Sequence, residues 1–67
     1  MVITDETKEL LINFLSDRMG YNDIEIIDVD FIDGSDVLIS FTCSDNNYME
    51  KEETTTVLDL LSYAYNN

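Results

Sequence analysis

The chain contains no histidine, one cysteine, two glycines and only three cationic residues, Lys8, Arg18 and Lys51. Without histidine there is no imidazole base, no histidine-based triad and no imidazole metal ligand. The single cysteine, Cys43, excludes an intramolecular disulfide and, with histidine absent, an ordinary zinc site. Gly20 and Gly34 are too few for a Gly-rich phosphate cradle. Three scattered cations cannot neutralise the several phosphates that nucleic-acid binding requires, and an anionic membrane would repel the chain for the same reason. No apolar run approaches the roughly 20 residues of a membrane span. The start, Met-Val-Ile-Thr-Asp-Glu-Thr, has neither a basic n-region nor a secretory apolar stretch, so no signal peptide is read and the expected compartment is cytoplasmic.

What the chain has is acid. Fifteen Asp and Glu against three Lys and Arg give a formal net charge of −12 over 67 residues. Yet 45% of residues are hydrophobic, too many for a disordered acidic tail. Residues 1–67 are read as one small domain. At this size the core is marginal, and self-repulsion adds to that burden. A partner, if there is one, should be basic.

Thr4 can cap a helix that opens with Asp5 and Glu6. Leu10, Leu11, Phe14, Leu15 and Met19 recur at helical spacing, and Gly20 ends the run. Glu6, Glu9, Asn13 and Asp17 form the opposite stripe, read as a solvated face. Tyr21 to Asp23 is turn-like. Ile24 to Ile32 reads as a strand with Ile27, Val29 and Phe31 inward and Asp28 and Asp30 outward. Asp33-Gly34-Ser35-Asp36 is a turn, and Val37, Ile39, Phe41 and Cys43 alternate along a second strand. Cys43 is therefore expected to be a small buried hydrophobe. Tyr48 to Glu53 reads as a third strand at an edge, although Met49 to Thr56 could instead extend the last helix. That helix is expected at about 55–65, with Val57, Leu60, Leu61 and Ala64 inside and Leu58 and Tyr65 flanking. The fold class is α+β, ordered α-β-β-(β)-α, with two helices packed on one face of an antiparallel sheet. Ile24, Ile26 and Leu38 have no clear place on the inner face; they could complete the core through strand twist or form a dimer seam.

The acids cluster. Asp23, Glu25, Asp28, Asp30, Asp33 and Asp36 occur without an intervening cation, and Asp45, Glu50, Glu52 and Glu53 form a second group broken only by Lys51. If residues 48–53 neighbour the hairpin, both groups could lie along one outer face or its rim. A folded chain of this mass exposes roughly 4,300 Å², so twelve net charges spread evenly give about one per 360 Å². B-DNA carries roughly one per 110 Å². Even spreading is a poor match to DNA; only clustering approaches it. A calcium loop is disfavoured: in Asp28-Val29-Asp30-Phe31-Ile32-Asp33-Gly34 the third acid comes one residue late, and Ile39 occupies the twelfth position counted from Asp28. No carboxylate pair comes with an identifiable apolar cleft, so neither an enzyme nor a cofactor is expected.

In size, acidity and order of elements the chain resembles the small inhibitors that phages and mobile elements direct at host defence nucleases, including DNA-mimic anti-CRISPR and anti-restriction proteins. The resemblance implies an inhibitory binding protein in the host cytoplasm. Its carboxylates would occupy the basic channel of a nuclease or other nucleic-acid-binding protein, standing in for phosphate oxygens. It carries no residue-level motif. The alternative reading is an acidic interaction module, such as a phage modulator of host transcription or an antitoxin-like partner. That module would be anchored by Tyr21, Tyr48, Tyr63 or Tyr65. Either reading leaves a homodimer open.

Overall fold

The computed structural model describes residues 3–66. Helix α1 runs Asp5–Met19 because both of its ends are capped. The Thr4 hydroxyl accepts the Thr7 backbone N–H at 3.1 Å, and Asp5 and Glu6 sit in the positive first turn. Gly20 takes a left-handed φ of 78° and returns its N–H to the Ser16 carbonyl at 3.1 Å.

Strands β1 (Glu25–Asp33), β2 (Asp36–Thr42) and β3 (Lys51–Thr56) form an antiparallel sheet in the order β1-β2-β3. Gly34 and Ser35 make the hairpin turn, and Gly34 supplies its positive φ of 48°. A short 3₁₀ turn at Ser44–Asn46 leads towards β3. The third strand starts later than the sequence suggests: Tyr48 has a left-handed φ of 58°, which no strand residue adopts, and its N–H closes the loop on the Cys43 carbonyl at 2.9 Å. Thr54 and Thr55 belong to β3 and only Thr56 caps helix α2 (Val57–Tyr65), accepting the Asp59 N–H at 3.0 Å. Residues 49–56 therefore do not extend the helix.

Both helices pack on one sheet face. Leu11, Phe14 and Leu15 of α1 meet Ile26 and Val29 of β1, Val37, Ile39 and Phe41 of β2, Cys43, and Tyr63 of α2. Phe14 and Tyr63 touch edge to face at 5.6 Å. Cys43 is fully buried.

Three expectations about the inner face need correction. In β1 the inward residues are Ile26 and Val29, not Ile27 and Val29, because the register slips by one residue between Ile26 and Asp28. Phe31 keeps the inner register opposite Val37 but lies at the hairpin end, where it is 57% exposed. In α2 the buried residue is Tyr63, with Val57 and Leu60 half-buried, whereas Leu61 and Ala64 are exposed. Of the unassigned residues, Ile26 joins the core, Ile24 packs on its margin and Leu38 lies half-buried on the outer face. No helix among the described residues is long and apolar enough to cross a membrane.

Candidate partner-binding face

The outer sheet face is defined by register. Thr42, Ser40, Leu38 and Asp36 of β2 stand opposite Glu25, Asp28, Asp30 and Asp33 of β1 respectively. Across the other edge, Ser40 stands opposite Glu52 and Leu38 opposite Thr54. In a regular strand side chains alternate, so acids spaced three, two and three residues apart could not share a face. Two irregularities solve this. One falls between Ile26 and Asp28, the other between Phe31 and Asp33. Each inserts one residue, Ile27 and Ile32, and resets the parity. As a result all four acids of β1 project from one face, joined by Asp36 and Glu52.

None of the three cations stands on that face. Lys8 and Arg18 are on α1, and Lys51 has the inner register opposite Phe41. Arg18 lies over the Tyr63 ring at 5.3 Å and Lys51 over the Tyr21 ring at 5.7 Å. At one end of the face, Asp36 also borders a polar recess shared with Arg18, Thr54, Thr56 and Asp59.

Projected density can now be set against DNA. Nine residues at ~3.3 Å and three strands at ~4.8 Å span about 420 Å², so six carboxylates give roughly one per 70 Å². The surface of a B-DNA cylinder carries roughly one charge per 110 Å². The face therefore reaches the density of a duplex, although the molecule as a whole does not. Among the described residues no three carboxylates or thiols converge as a metal cage; the acids are laid out as an array.

Four of the ten candidate acids lie elsewhere. Asp23 is exposed in the loop before β1, with a left-handed φ of 52°. Glu50 is exposed just before β3. Asp45 is a structural tie: its carboxylate accepts the Asn22 backbone N–H at 2.6 Å and the Asn22 side-chain amide at 3.2 Å. Those bonds favour the ionised form and hold the Asp45 carboxyl below its ordinary value. Glu53 has the inner register opposite Ile39 and accepts the Tyr21 hydroxyl at 2.5 Å. That bond, with partial burial, pushes the Tyr21 phenol up to about 12. Both placements correct the expectation of one continuous outer cluster. Lys51, Glu53 and Tyr21 instead make a polar rim to the core.

The tyrosines divide in the same way. Tyr21 packs on Phe41 with ring centroids 5.2 Å apart, and the buried Tyr63 donates its hydroxyl to Asp17 at 2.5 Å. The bond to Asp17, followed by burial, raises the Tyr63 phenol. Asp17 is thus not merely a solvated member of the α1 stripe. Only Tyr48 and Tyr65 stay exposed enough to serve as anchors. Sequence reasoning grouped Glu25 with the clustered acids but could not place it on the outer face by alternation, because a period-2 reading puts it with the inward residues. Its spacing of three from Asp28, with apolar Ile26 and Ile27 between, was the available signal.

No family model, curated protein or solved structure matches this chain. The functional reading rests on the face itself.

Proposed function

We propose that this protein is an acidic binding protein whose outer sheet face occupies the basic nucleic-acid channel of a nuclease or other nucleic-acid-binding protein, and so inhibits it. The observation that carries the reading is the pair of strand irregularities. They place Glu25, Asp28, Asp30 and Asp33 on one cation-free face with Asp36 and Glu52. An array at duplex-like density presents acceptor oxygens to Arg and Lys side chains, which form charge-assisted bonds with carboxylate as they do with phosphate. The net charge of −12 steers such a partner and makes encounter fast at low salt. The chain performs no chemistry in this reading and needs no cofactor.

The test is capture of a basic partner from lysate at low salt by the wild-type chain and by two variants. Asp28→Lys with Asp30→Lys reverses the centre of the face; Glu6→Lys with Glu9→Lys reverses exposed acids of α1. Capture should be displaced by duplex DNA, weaken steeply with salt, fail for the sheet variant and persist for the helix variant. Capture that survives both high salt and competing DNA would sink the proposal and favour the second reading, an apolar anchor. The exposed Tyr48 and Met49 side chains are what favours that alternative.

A further inference from the structure

The two helices are pinned together near one end and enclose a cavity towards the other. In their C-terminal halves the Phe14 and Tyr63 rings touch and Tyr63 bonds Asp17. In their N-terminal turns each is held by something else: Thr4 caps α1, and the Ser35 carbonyl of the hairpin turn holds the Val57 N–H. The space left between them and the sheet is a cavity of about 260 Å³. Its floor is Leu11, Val29 and Val37, each at most 5% exposed. Phe31 and Leu61 stand at its mouth, each more than half exposed. Among the described residues that line it none is charged, and only Thr4 and Thr7 are polar.

Protein interiors rarely keep a void much larger than a water molecule, because its lining forfeits dispersion contacts. Water does not fill this one: a buried water needs several polar partners, and the floor has none. An apolar cavity of about 150 Å³ stays dry and holds one benzene molecule, so this one takes roughly ten non-hydrogen atoms. A leucine or phenylalanine side chain reaching in from a partner's backbone is smaller than that. The mouth also carries a group that can hold a guest. The Thr4 hydroxyl accepts the Thr7 N–H at 3.1 Å and donates to the Thr7 hydroxyl oxygen at 2.9 Å. The Thr7 hydroxyl proton then meets no acceptor among the described residues and is left to donate outward. Charged head groups fit poorly. A carboxylate meets the field of a net charge of −12, and an ammonium finds no carboxylate in the lining.

We infer that this cavity binds a small neutral molecule with an apolar body and a single hydrogen-bond acceptor, such as a medium-chain ketone or ester. The body lies against Leu11, Val29 and Val37, and the acceptor takes the Thr7 hydroxyl proton at the mouth. At the binding energy per atom usual for small ligands, a guest of roughly ten non-hydrogen atoms has a dissociation constant of about 0.1–1 mM. The site is on the helix side of the sheet and the carboxylate array is on the other, so it stands or falls separately from partner binding by the acidic face.

Titration of the full chain with methyl heptyl ketone, followed by NMR of the methyl groups, tests this. The Leu11, Val29 and Val37 signals should shift saturably with one dissociation constant, while those of Leu38 on the outer face stay in place. Octanoate, with the same number of non-hydrogen atoms but a charged head, should bind at least about tenfold more weakly. Thr7→Val, at an exposed position of α1, should weaken the ketone by about three- to tenfold, the worth of one hydrogen bond. Floor signals that do not move up to the solubility limit of the ketone overturn the inference and leave the cavity to a partner's side chain. Octanoate that binds as well as the ketone overturns it, as does a Thr7→Val variant that binds as well as wild type. So do nuclear Overhauser contacts from Met1 or Val2 to Leu11 or Val37 in the free chain, which would mean that the protein's own first residues fill the space.

Discussion

Replacing Glu52 with lysine should make the protein more stable while weakening its grip on a basic partner. Glu52 stands across Ser40 from Asp28, so two strand spacings of ~4.8 Å put those carboxylates ~10 Å apart. Glu25 and Asp30 lie one residue pair further along, at ~12 Å on the diagonal. These contacts exist only in the folded chain, since the residues are far apart in sequence. Coulomb's law in water gives about 1.1 kcal/mol of repulsion for the three pairs, and reversing one sign changes the energy by about 2.3 kcal/mol. Screening leaves about 1.6 kcal/mol at 0.01 M salt, where the Debye length is ~30 Å, and about 0.6 kcal/mol at 0.15 M, where it is ~8 Å. For a domain of this size the melting temperature should rise by about 6–12 °C at the lower salt and about 2–5 °C at the higher. Thermal unfolding followed by circular dichroism at both ionic strengths measures it. The partner-capture assay on the same variant should show weaker binding, a loss that unfolding cannot explain in a stabilised protein. If Glu52→Lys melts at or below wild type in 0.01 M salt, the shared face does not exist as described.

Two further outcomes concern the core and its rim. Leu15 is fully buried, so Leu15→Ala should cost about 2–5 kcal/mol by urea titration, a large fraction of the stability of a domain of this size; a loss below 1 kcal/mol (about the error of such a comparison) would place Leu15 outside the core. On the alkaline side, the Tyr21 phenol sits at about 12 in the fold against 10.0 for an ordinary tyrosine. Between those values the folded chain keeps a proton that the unfolded chain releases, so Tyr21 stabilises the fold fully below pH 10 and loses that contribution as pH rises towards 12. Tyr63 acts in the same direction. The urea midpoint should fall across this window, and Tyr21→Phe should flatten the fall; an equally steep fall in the variant would mean that the bond to Glu53 does not form.

Helix α1, the hairpin and the inward side of β2 were legible because local signals agreed there. Thr4 and Gly20 bracket α1, and Val37, Ile39, Phe41 and Cys43 alternate without interruption. Where the reading went astray, a non-local cause competed with a local pattern. Ile26 and Ile27 are equally apolar, and nothing in either says which one a bulge turns outward. The 48–53 segment looks extended, but loop closure on Cys43 draws Tyr48 into a left-handed turn and delays the strand to Lys51. In α2 almost every residue is apolar, so periodicity could not rank Leu61 above or below Tyr63; the ring of Phe14 and the carboxylate of Asp17 decide in favour of Tyr63. Of the acidic face, Asp28 and Asp30 could be placed from alternation and Asp33 and Asp36 from the turn, whereas Glu52 could be grouped with its acidic neighbours but not assigned a side until its pairing with Ser40 was known. Glu53 and Asp45 could not be removed from it without knowing that Tyr21 and Asn22 fold back to meet them.

The junction between β3 and α2 has no connecting residue: Thr56 ends the strand and Val57 begins the helix. The Val57 N–H is tied to the Ser35 carbonyl of the hairpin turn at 2.8 Å. Chain length at this point is therefore as constrained as any buried side chain. One deleted residue would turn the helix by about 100° against its anchor and put Leu58, Leu61 and Ala64 where Val57, Leu60 and Tyr63 sit; one inserted residue would turn it as far the other way and put Asp59 and Ser62 where Leu60 and Tyr63 sit. Substitutions on the outer face can accumulate one at a time without disturbing the interior. A change of a single codon in number between Thr56 and Val57 turns the buried stripe of the whole C-terminal helix off the sheet at once.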